Sequence, residues 1–138
     1  MAELIELKEE EERVILFAVS TGNGDDARDS LEELEELAQT AGAVTVGTLI
    51  QSRERIHPGT YLGKGKIEEL KDMIGEKEAT GVICDDELTP AQLRGLEQEL
   101  DLKVMDRTLV ILDIFAQHAT TSEGKLQVEL AQLRYRLA

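Results

Sequence analysis

Residues 61–66, YLGKGK, contain the residue types of a phosphate-binding loop. Two glycines and two lysines stand directly before an amphipathic stretch, IEELKDMIGEK. A Walker loop requires the spacing G-x-x-x-x-G-K-[ST], which wraps backbone amides around phosphates and places a hydroxyl on magnesium. Here only three residues separate Gly59 from Gly63, and Gly65 occupies the place of the hydroxyl residue. The Walker interpretation therefore fails.

Two other interpretations of this loop stay open. Backbone amides of Gly63 and Gly65 at a helix N-terminus, flanked by Lys64 and Lys66, are suited to a phosphate group, which could belong to a nucleotide or to RNA. Alternatively, the glycines only give the chain freedom to begin a helix.

Two acidic or polar segments follow apolar runs of strand length. Residues 20–24 lie where α/β folds place ligands, but they lack the third glycine of a dinucleotide fingerprint and precede two aspartates, which favours a turn and helix cap. Asp85 ends the run 80–85 and Asp86 and Glu87 follow it, and these adjacent carboxylates are weak candidates for magnesium. Acids ahead of a helix dipole need no metal, and we favour that explanation.

Other catalytic or metal-binding patterns lack support in the sequence. His57 and His118 have no paired Cys or Glu pattern, so we expect no zinc site. Cys84 is the only cysteine and lies in an apolar run, which is typical of a core residue. We therefore expect neither catalysis nor a cofactor in this chain.

The charge of the chain is strongly acidic but uneven. The net charge is −14, which argues against a general polyanion binder. Residues 51–66 nevertheless hold four basic residues against one acid, and residues 124–138 hold three against one. Two basic segments on an acidic body can orient one polyanion, although charged runs are more often solvated faces.

Alternating apolar runs and helical patterns predict an α/β fold, namely a small, four-stranded, mainly parallel sheet flanked by helices. Apolar residues are mostly aliphatic, since aromatics make up only 3% of the chain. The expected strands are residues 13–20, 43–51, 80–85 and 102–106. Between them we expect helices that end at Gly42 and Gly75, and a third that begins with a capping box at Thr89 to Gln92.

The chain divides into an acidic lead (1–12), the α/β domain (13–107) and a helical region (108–138). Residues 108–119 are apolar nearly all round and predict a buried helix or short connector. A long C-terminal helix follows, the first half of a helical hairpin, with one leucine stripe spaced for a partner helix: Leu126, Leu130, Leu133 and Leu137. Packing of this stripe on the chain's own sheet is the ordinary alternative.

Several long segments together resemble one family. They are YLGKGKIEEL, CDDELTPAQLRGLE and KVMDRTLVILDIFAQHATTSEGKLQVELAQLRYRL. They are similar to the N-terminal domain of HflX, a ribosome-associated GTPase of the translation-factor class, and the resemblance runs from Arg13 to Ala138. In that family a second hairpin helix and a G domain follow, and we expect them to be missing from this sequence.

The resemblance implies a ribosome-binding and RNA-binding regulatory domain that contacts the large ribosomal subunit. It implies GTP and Mg²⁺ as cofactors of the full-length proteins only, through the absent G domain, while ATP binding at Gly63 to Lys66 is an alternative. A purely regulatory module acting on the G domain is another. The RNA-contact candidates are Arg53, Arg55, Arg107, Lys125, Arg134 and Arg136.

Some of these basic residues have simpler explanations. Arg107 and Asp106 are adjacent and could form a local ion pair, and Lys125 and Glu129 are spaced for a helical pair. Without the partner helix, the leucine stripe could drive an artificial dimer. The acidic lead is unlike a targeting peptide, and no apolar run is long enough to span a bilayer, so we expect a cytoplasmic protein without a membrane partner.

Overall fold

The computed structural model describes residues 11–22, 24–52, 56–118 and 130–136. Four parallel strands form one sheet in the order β2-β1-β3-β4. The strands are β1 (Glu12–Ser20), β2 (Ala43–Ser52), β3 (Gly81–Cys84) and β4 (Lys103–Asp106). The helices are α1 (Gly24–Thr40), α2 (Lys64–Lys77), α3 (Pro90–Leu100), α4 (Arg107–His118) and α5 (130–136). The predicted α/β class and parallel sheet are confirmed.

The sheet is covered on both faces, and each face has its own apolar cluster. One cluster includes Phe17, Leu49 and Val82 of the strands and lies under α2 and α3, with Leu70 and Leu96 fully buried. The other lies under α1 and α4 and includes Leu16, Leu34, Ile83 and Val110. Strand β1 is buried from Val14 to Ser20 because it is central and covered on both faces. Such burial explains its continuous apolar sequence.

Helix α3 begins as the sequence predicts. The side chain of Thr89 accepts a hydrogen bond from the Gln92 amide, the Gln92 side chain accepts one from the Thr89 amide, and Pro90 occupies the first turn. Leu93, Leu96 and Leu100 are buried on its inner face. The predicted capping box is therefore confirmed.

Two predictions about helices are corrected. Helix α2 does not end at Gly75 but continues to Lys77, and Glu78 ends it in the left-handed conformation with φ of 53°. Residues 108–119 were expected to form a buried element. The helix is present, but only Leu109 and Val110 are buried among its described residues, and the side chain of Phe115 is 59% exposed. Since α4 lies on one face of the sheet, its outer side remains in solvent.

Candidate functional site

The segment Gly63 to Lys66 forms the beginning of helix α2. Gly63 is the N-cap, in an extended conformation, and its amide donates a hydrogen bond of 2.8 Å to Oε1 of Gln51 on β2. Lys64 and Gly65 are exposed, and Lys66 pairs with Glu69 of the next turn at 2.8 Å. The first amides of a helix have no intrahelical acceptor, so this N-terminus can accept an anion.

The turn before α2 is held firmly. Nδ1 of His57 accepts hydrogen bonds from the amides of Gly59 and Thr60 at 3.0 and 3.1 Å, so the neutral ring carries its proton on Nε2. The carbonyl oxygen of His57 accepts from Gln92 Nε2 of α3 at 2.9 Å. Gly95 lies so close that an added Cβ would be 2.2 Å from the carbonyl oxygen of Gly59. Helix α3 therefore fixes the position of this turn.

Tyr61 connects the turn to the carboxyl ends of the central strands. It is 1% exposed and has a φ of 66°, which is uncommon for a residue with a side chain. Its phenol accepts a hydrogen bond from the amide of Val19 at 2.9 Å and donates one to Oδ2 of Asp86. Burial raises the pKa of Tyr61, and the neighbouring Cys84 and the hydrogen bond to Asp86 raise it further.

A crevice of about 300 Å³ opens at the carboxyl ends of β1 and β3. This is the point where the strand order reverses, at which doubly wound sheets bind ligands. Ser20 and Gly22 line it together with three acidic residues, Asp26, Asp85 and Asp86. The acidic lining disfavours a polyphosphate in the crevice itself.

The carboxylate of Asp85 is held by Arg107. Nη2 of Arg107 donates to Asp85 Oδ1 and Nη1 to Glu33 Oε1, each at 2.7 Å, and Nη2 also reaches the carbonyl oxygen and hydroxyl of Ser30. Burial lowers the pKa of Arg107, but the hydrogen bonds that it donates to Asp85 and Glu33 outweigh this effect and raise the pKa overall. The expected local pair between Arg107 and Asp106 is therefore wrong, and the guanidinium is engaged by carboxylates instead of facing solvent.

Asp106 is a fully buried carboxylate at the end of β4. It accepts hydrogen bonds from the amides of Leu88 at 2.9 Å and Leu109 at 3.0 Å, and from the phenol of Tyr135. It thereby caps α4 and joins the loop after β3 to α5. Burial raises the pKa of Tyr135, and the hydrogen bond to Asp106 raises it further.

The basic residues of α5 flank this contact. Arg134 and Arg136 are exposed on either side of Tyr135, and Leu130 and Leu133 are 43% and 52% exposed. The leucine stripe is thus open to solvent at its two described positions. Arg53, Arg55, Lys125, Leu126 and Leu137 lie outside the described residues.

Among the described residues, the other candidates from the sequence form neither a metal-binding site nor a nucleophilic site. Across the described ranges, no group of three or more His, Cys, Asp and Glu residues is arranged to hold a metal ion. Cys84 is fully buried, and burial raises the pKa of its thiol, which confirms it as a core residue. A separate, mainly apolar cavity of about 220 Å³ lies at the amino ends of the strands, next to Val14 and Gly81.

Sequence reasoning missed the residues that organise this edge of the sheet. Tyr61 was visible in the glycine-rich segment, but nothing in the sequence indicated that its phenol reaches Asp86. Asp106 gave one usable signal, since an aspartate directly after a short apolar run and before a helix is a typical N-cap. Its contact with Tyr135 spans 29 residues and has no local pattern.

The comparisons with known proteins show the family of the chain. The family described as GTP-binding GTPase N-terminal matches residues 28–116, which is more than half of the chain. The chain belongs to the HflX family, as its N-terminal domain. It is 75% identical over 138 residues to the GTPase HflX of Lacrimispora saccharolytica and 43% identical over 124 residues to that of Escherichia coli K12. It covers 33% and 29% of these HflX proteins, so it spans about a third of their length.

Solved structures place the HflX domain in the same fold. A GTP-binding protein from the archaeon Sulfolobus solfataricus, crystallised with GDP, is 26% identical with a TM-score of 0.71. The match covers 91% of this chain and 37% of the archaeal chain. A complex of SsGBP with GDP gives a TM-score of 0.73 at 26% identity, covering 91% and 35%. Among the described residues, no helix is long and apolar enough to cross a membrane.

Proposed function

We propose that this domain is the ribosome-binding and RNA-binding regulatory domain of an HflX-type GTPase and contacts the large ribosomal subunit. The observation that carries the proposal is the placement of two basic pairs at one edge of the sheet. Lys64 and Lys66 begin α2, whose N-cap bonds Gln51 near the end of β2. Arg134 and Arg136 flank Tyr135, which bonds Asp106 at the end of β4. Because all four strands are parallel, their carboxyl ends lie together at one end of the sheet. Both basic pairs lie at that end.

The two pairs differ in how free they are to bind phosphate. Lys64 and both arginines are exposed, whereas Lys66 must exchange its pairing with Glu69. The side chain of Lys66 is about one-third exposed and that of Glu69 is about half exposed, so that pair contributes little and is easily replaced. The carboxylates of the central crevice lie between the two basic pairs, which favours a polyanion that bridges them over one that enters the crevice.

GTP hydrolysis belongs to the remainder of such a protein in this proposal. The curated relatives are named GTPases, and the chain spans about a third of their length. We infer that the chain alone does not hydrolyse GTP and that the rest of an HflX protein supplies the G domain. A measurable GTPase rate for the purified chain would contradict this part of the proposal.

Co-sedimentation with purified large ribosomal subunits over a salt series tests RNA binding. Saturable pelleting should weaken steeply as salt rises, because neutralising phosphates releases counterions. The charge-reversal variants Lys64→Glu/Lys66→Glu and Arg134→Glu/Arg136→Glu should each weaken binding and reduce the salt dependence.

The matched control is Lys77→Glu/Lys103→Glu, which changes the net charge equally. Lys77 ends α2 and Lys103 begins β4, so both lie at the opposite edge of the sheet. The control should pellet like the parent chain. Equal losses in all three variants would mean that net charge alone governs binding, and unchanged pelleting of both test variants would overturn the assigned surface.

A second candidate function is ATP binding at Gly63 to Lys66, favoured by the exposed helix N-terminus and its two lysines. The acidic lining of the neighbouring crevice, including Asp85 and Asp86, argues against it unless Mg²⁺ accompanies the nucleotide. Calorimetric titration of the chain with ATP and Mg²⁺ discriminates the two functions. Saturable ATP binding that Lys64→Glu/Lys66→Glu abolishes would favour the nucleotide site.

A third candidate is a purely regulatory role toward the G domain. In that case deleting the domain from a full-length HflX protein would change the GTPase rate, while the isolated domain would not pellet with large subunits. Binding to subunits by the isolated domain would exclude this limited role.

A further inference from the structure

The mainly apolar cavity at the amino ends of the strands lies between the sheet, α1 and α4, and it has a volume of about 220 Å³. Small residues create it. On α1 the buried residues change from Leu34 to Ala38, and Ala41 follows directly after the helix. On the sheet, Ala43 begins β2 and Gly81 begins β3. Protein interiors are normally filled to high density, so an open space of this kind is suited to an apolar side chain from another molecule.

The floor of the cavity belongs to the core of the domain. Val14 of β1, Ile83 of β3 and Val110 of α4 line it, and all three are buried. Met105 of β4 also lines it and packs against the same apolar cluster. Because strands and helices form the walls, the cavity is a fixed part of the fold and not a gap beneath a loop.

The rim of the cavity, formed by Glu11, Glu12 and Asp113, is acidic. These residues line both the cavity and a wider polar groove outside it. Lys103 is the cation among the lining residues, and it is paired with Glu12 at 3.3 Å. The end of α1 adjoins the same groove at Gly42, and α1 has no basic residue in its last turn. The negative end of the helix dipole therefore adds to the negative charge of the rim.

Other charged groups near this end of the sheet leave the rim acidic. Gln117 donates a hydrogen bond of 3.1 Å to Oδ2 of Asp113, but an amide does not neutralise the carboxylate. Arg13 lies on the other face of β1, where it donates to the carbonyl oxygen of Lys77 at the end of α2. In the sequence, residues 1–10 hold four glutamates and one lysine.

We propose that the cavity and its acidic rim bind a basic peptide segment of a partner protein. A large apolar side chain of the partner would fill the cavity, and flanking lysines or arginines would lie against Glu11, Glu12 and Asp113. An apolar anchor in a pocket supplies affinity, and complementary charge around it selects the partner. The same charge disfavours the chain's own acidic lead as the occupant.

This site is separate from the surface proposed for RNA. Lys64, Lys66, Arg134 and Arg136 lie at the carboxyl ends of the strands, whereas the cavity lies at the amino ends. The inference therefore goes beyond the proposed function, and the two surfaces can be tested independently.

Fluorescence anisotropy with labelled synthetic peptides tests the proposal. The probe is a short peptide with leucine and phenylalanine between runs of lysine and arginine. One control peptide replaces the two apolar residues by serine, and another replaces the basic residues by glutamate. At about 0.15 M salt and up to about 1 mM protein, we expect saturable binding of the probe. The serine peptide should bind about tenfold more weakly or less, and the glutamate peptide should not bind.

Two pairs of variants locate the site. Glu11→Lys/Asp113→Lys reverses the rim and should weaken probe binding about tenfold or more. Asp29→Lys/Glu32→Lys changes the net charge equally on the exposed side of α1 and should stay within about threefold of the parent. Ala41→Phe narrows the cavity and should weaken the probe but not the serine peptide, whereas Ala91→Phe on the exposed side of α3 should change neither. Thermal unfolding of each variant checks that the fold is intact.

Three results would overturn the proposal. Equal binding of the probe and the serine peptide would mean that the cavity takes no anchor. Equal losses in the two charge-reversal variants would mean that net charge alone attracts the peptide. A chain that begins at Glu11 should bind the probe within about threefold of the parent, and a gain of about tenfold or more would show that the acidic lead fills the cavity instead.

Discussion

The phenol of Tyr135 donates a hydrogen bond to the fully buried carboxylate of Asp106, and this contact holds α5 to the end of β4. The same carboxylate accepts from two backbone amides, at Leu88 and Leu109. One side chain therefore positions the loop after β3, the first turn of α4 and the C-terminal helix.

Asp106→Asn should destabilise the domain by about 1–3 kcal/mol. An asparagine replaces one acceptor oxygen by an NH₂ group, so at least one of the three donors loses its partner in a buried site. Urea unfolding monitored by circular dichroism measures the change. The control Asp101→Asn, at the exposed end of α3, should stay within about 0.5 kcal/mol of the parent. Equal effects of the two substitutions would contradict the role given to Asp106.

Arg107→Lys should also destabilise the domain by about 1–3 kcal/mol, because an ammonium cannot span Asp85, Glu33 and Ser30 and leaves the buried Asp85 carboxylate poorly paired. The free energy of unfolding is again the measurement. Arg94→Lys on the exposed side of α3 serves as the matched control and should be nearly neutral. If Arg107→Lys also leaves the free energy of unfolding nearly unchanged, the contacts of the guanidinium do not stabilise the domain. Arg107 would then remain a candidate for contact with RNA.

Gly95→Ala and Gly65→Ala should have opposite effects on stability. A Cβ at position 95 meets the carbonyl oxygen of Gly59 at 2.2 Å, so we expect a loss of about 1–3 kcal/mol from overpacking. No atom lies within 4 Å of a Cβ at position 65, in the first turn of α2, so alanine there should stabilise the helix by up to about 1 kcal/mol. Differential scanning calorimetry of both variants measures the two changes in stability. A stabilising Gly95→Ala would refute the close approach of α3 to the turn.

Tyr61→Phe should cost about 1–3 kcal/mol at neutral pH, because the buried amide of Val19 loses its acceptor. The substitution should also change the alkaline limb of stability. The pKa of Tyr61 is raised in the folded chain by burial, by Cys84 and by the hydrogen bond to Asp86, whereas an unfolded tyrosine titrates near pH 10.

The sign of this pH dependence follows from linkage. The folded state holds the proton of Tyr61 more tightly, so its contribution is complete below about pH 10 and is lost as the pH rises above that value. Urea unfolding between neutral and strongly alkaline pH should show a shallower fall for Tyr61→Phe than for the parent. Tyr135→Phe is the control for the second raised tyrosine. Identical slopes for the parent and Tyr61→Phe would mean that the phenol does not titrate with unfolding.

The strands and the helix periodicities were predictable because they depend on local patterns. The apolar run of β1 and the capping box at Thr89 carry their information within a few residues. The end of α2 at Glu78 was not predictable in this way, since Gly75 was the obvious stop and a glutamate in the left-handed conformation carries no local signal.

The candidate site was less predictable than the fold. The glycine-rich segment and its lysines were visible in the sequence, but the partners of Arg107 were not, because Glu33 lies 74 residues away along the chain. An adjacent Asp106 suggested a local ion pair, yet that carboxylate is committed to backbone amides. Long-range hydrogen bonds of this kind depend on the completed sheet.

The central position of β1 also bears on the order in which the chain can fold. On one side β1 pairs with β2, which follows after a single helix, but on the other side the amide of Thr80 must reach Arg13 across 67 residues. During synthesis the unit formed by β1, α1 and β2 can assemble while the β3 side of β1 is still uncovered. That apolar surface stays open until Gly81–Cys84 has left the ribosome, which makes this interval the one in which a nascent chain is most exposed to aggregation.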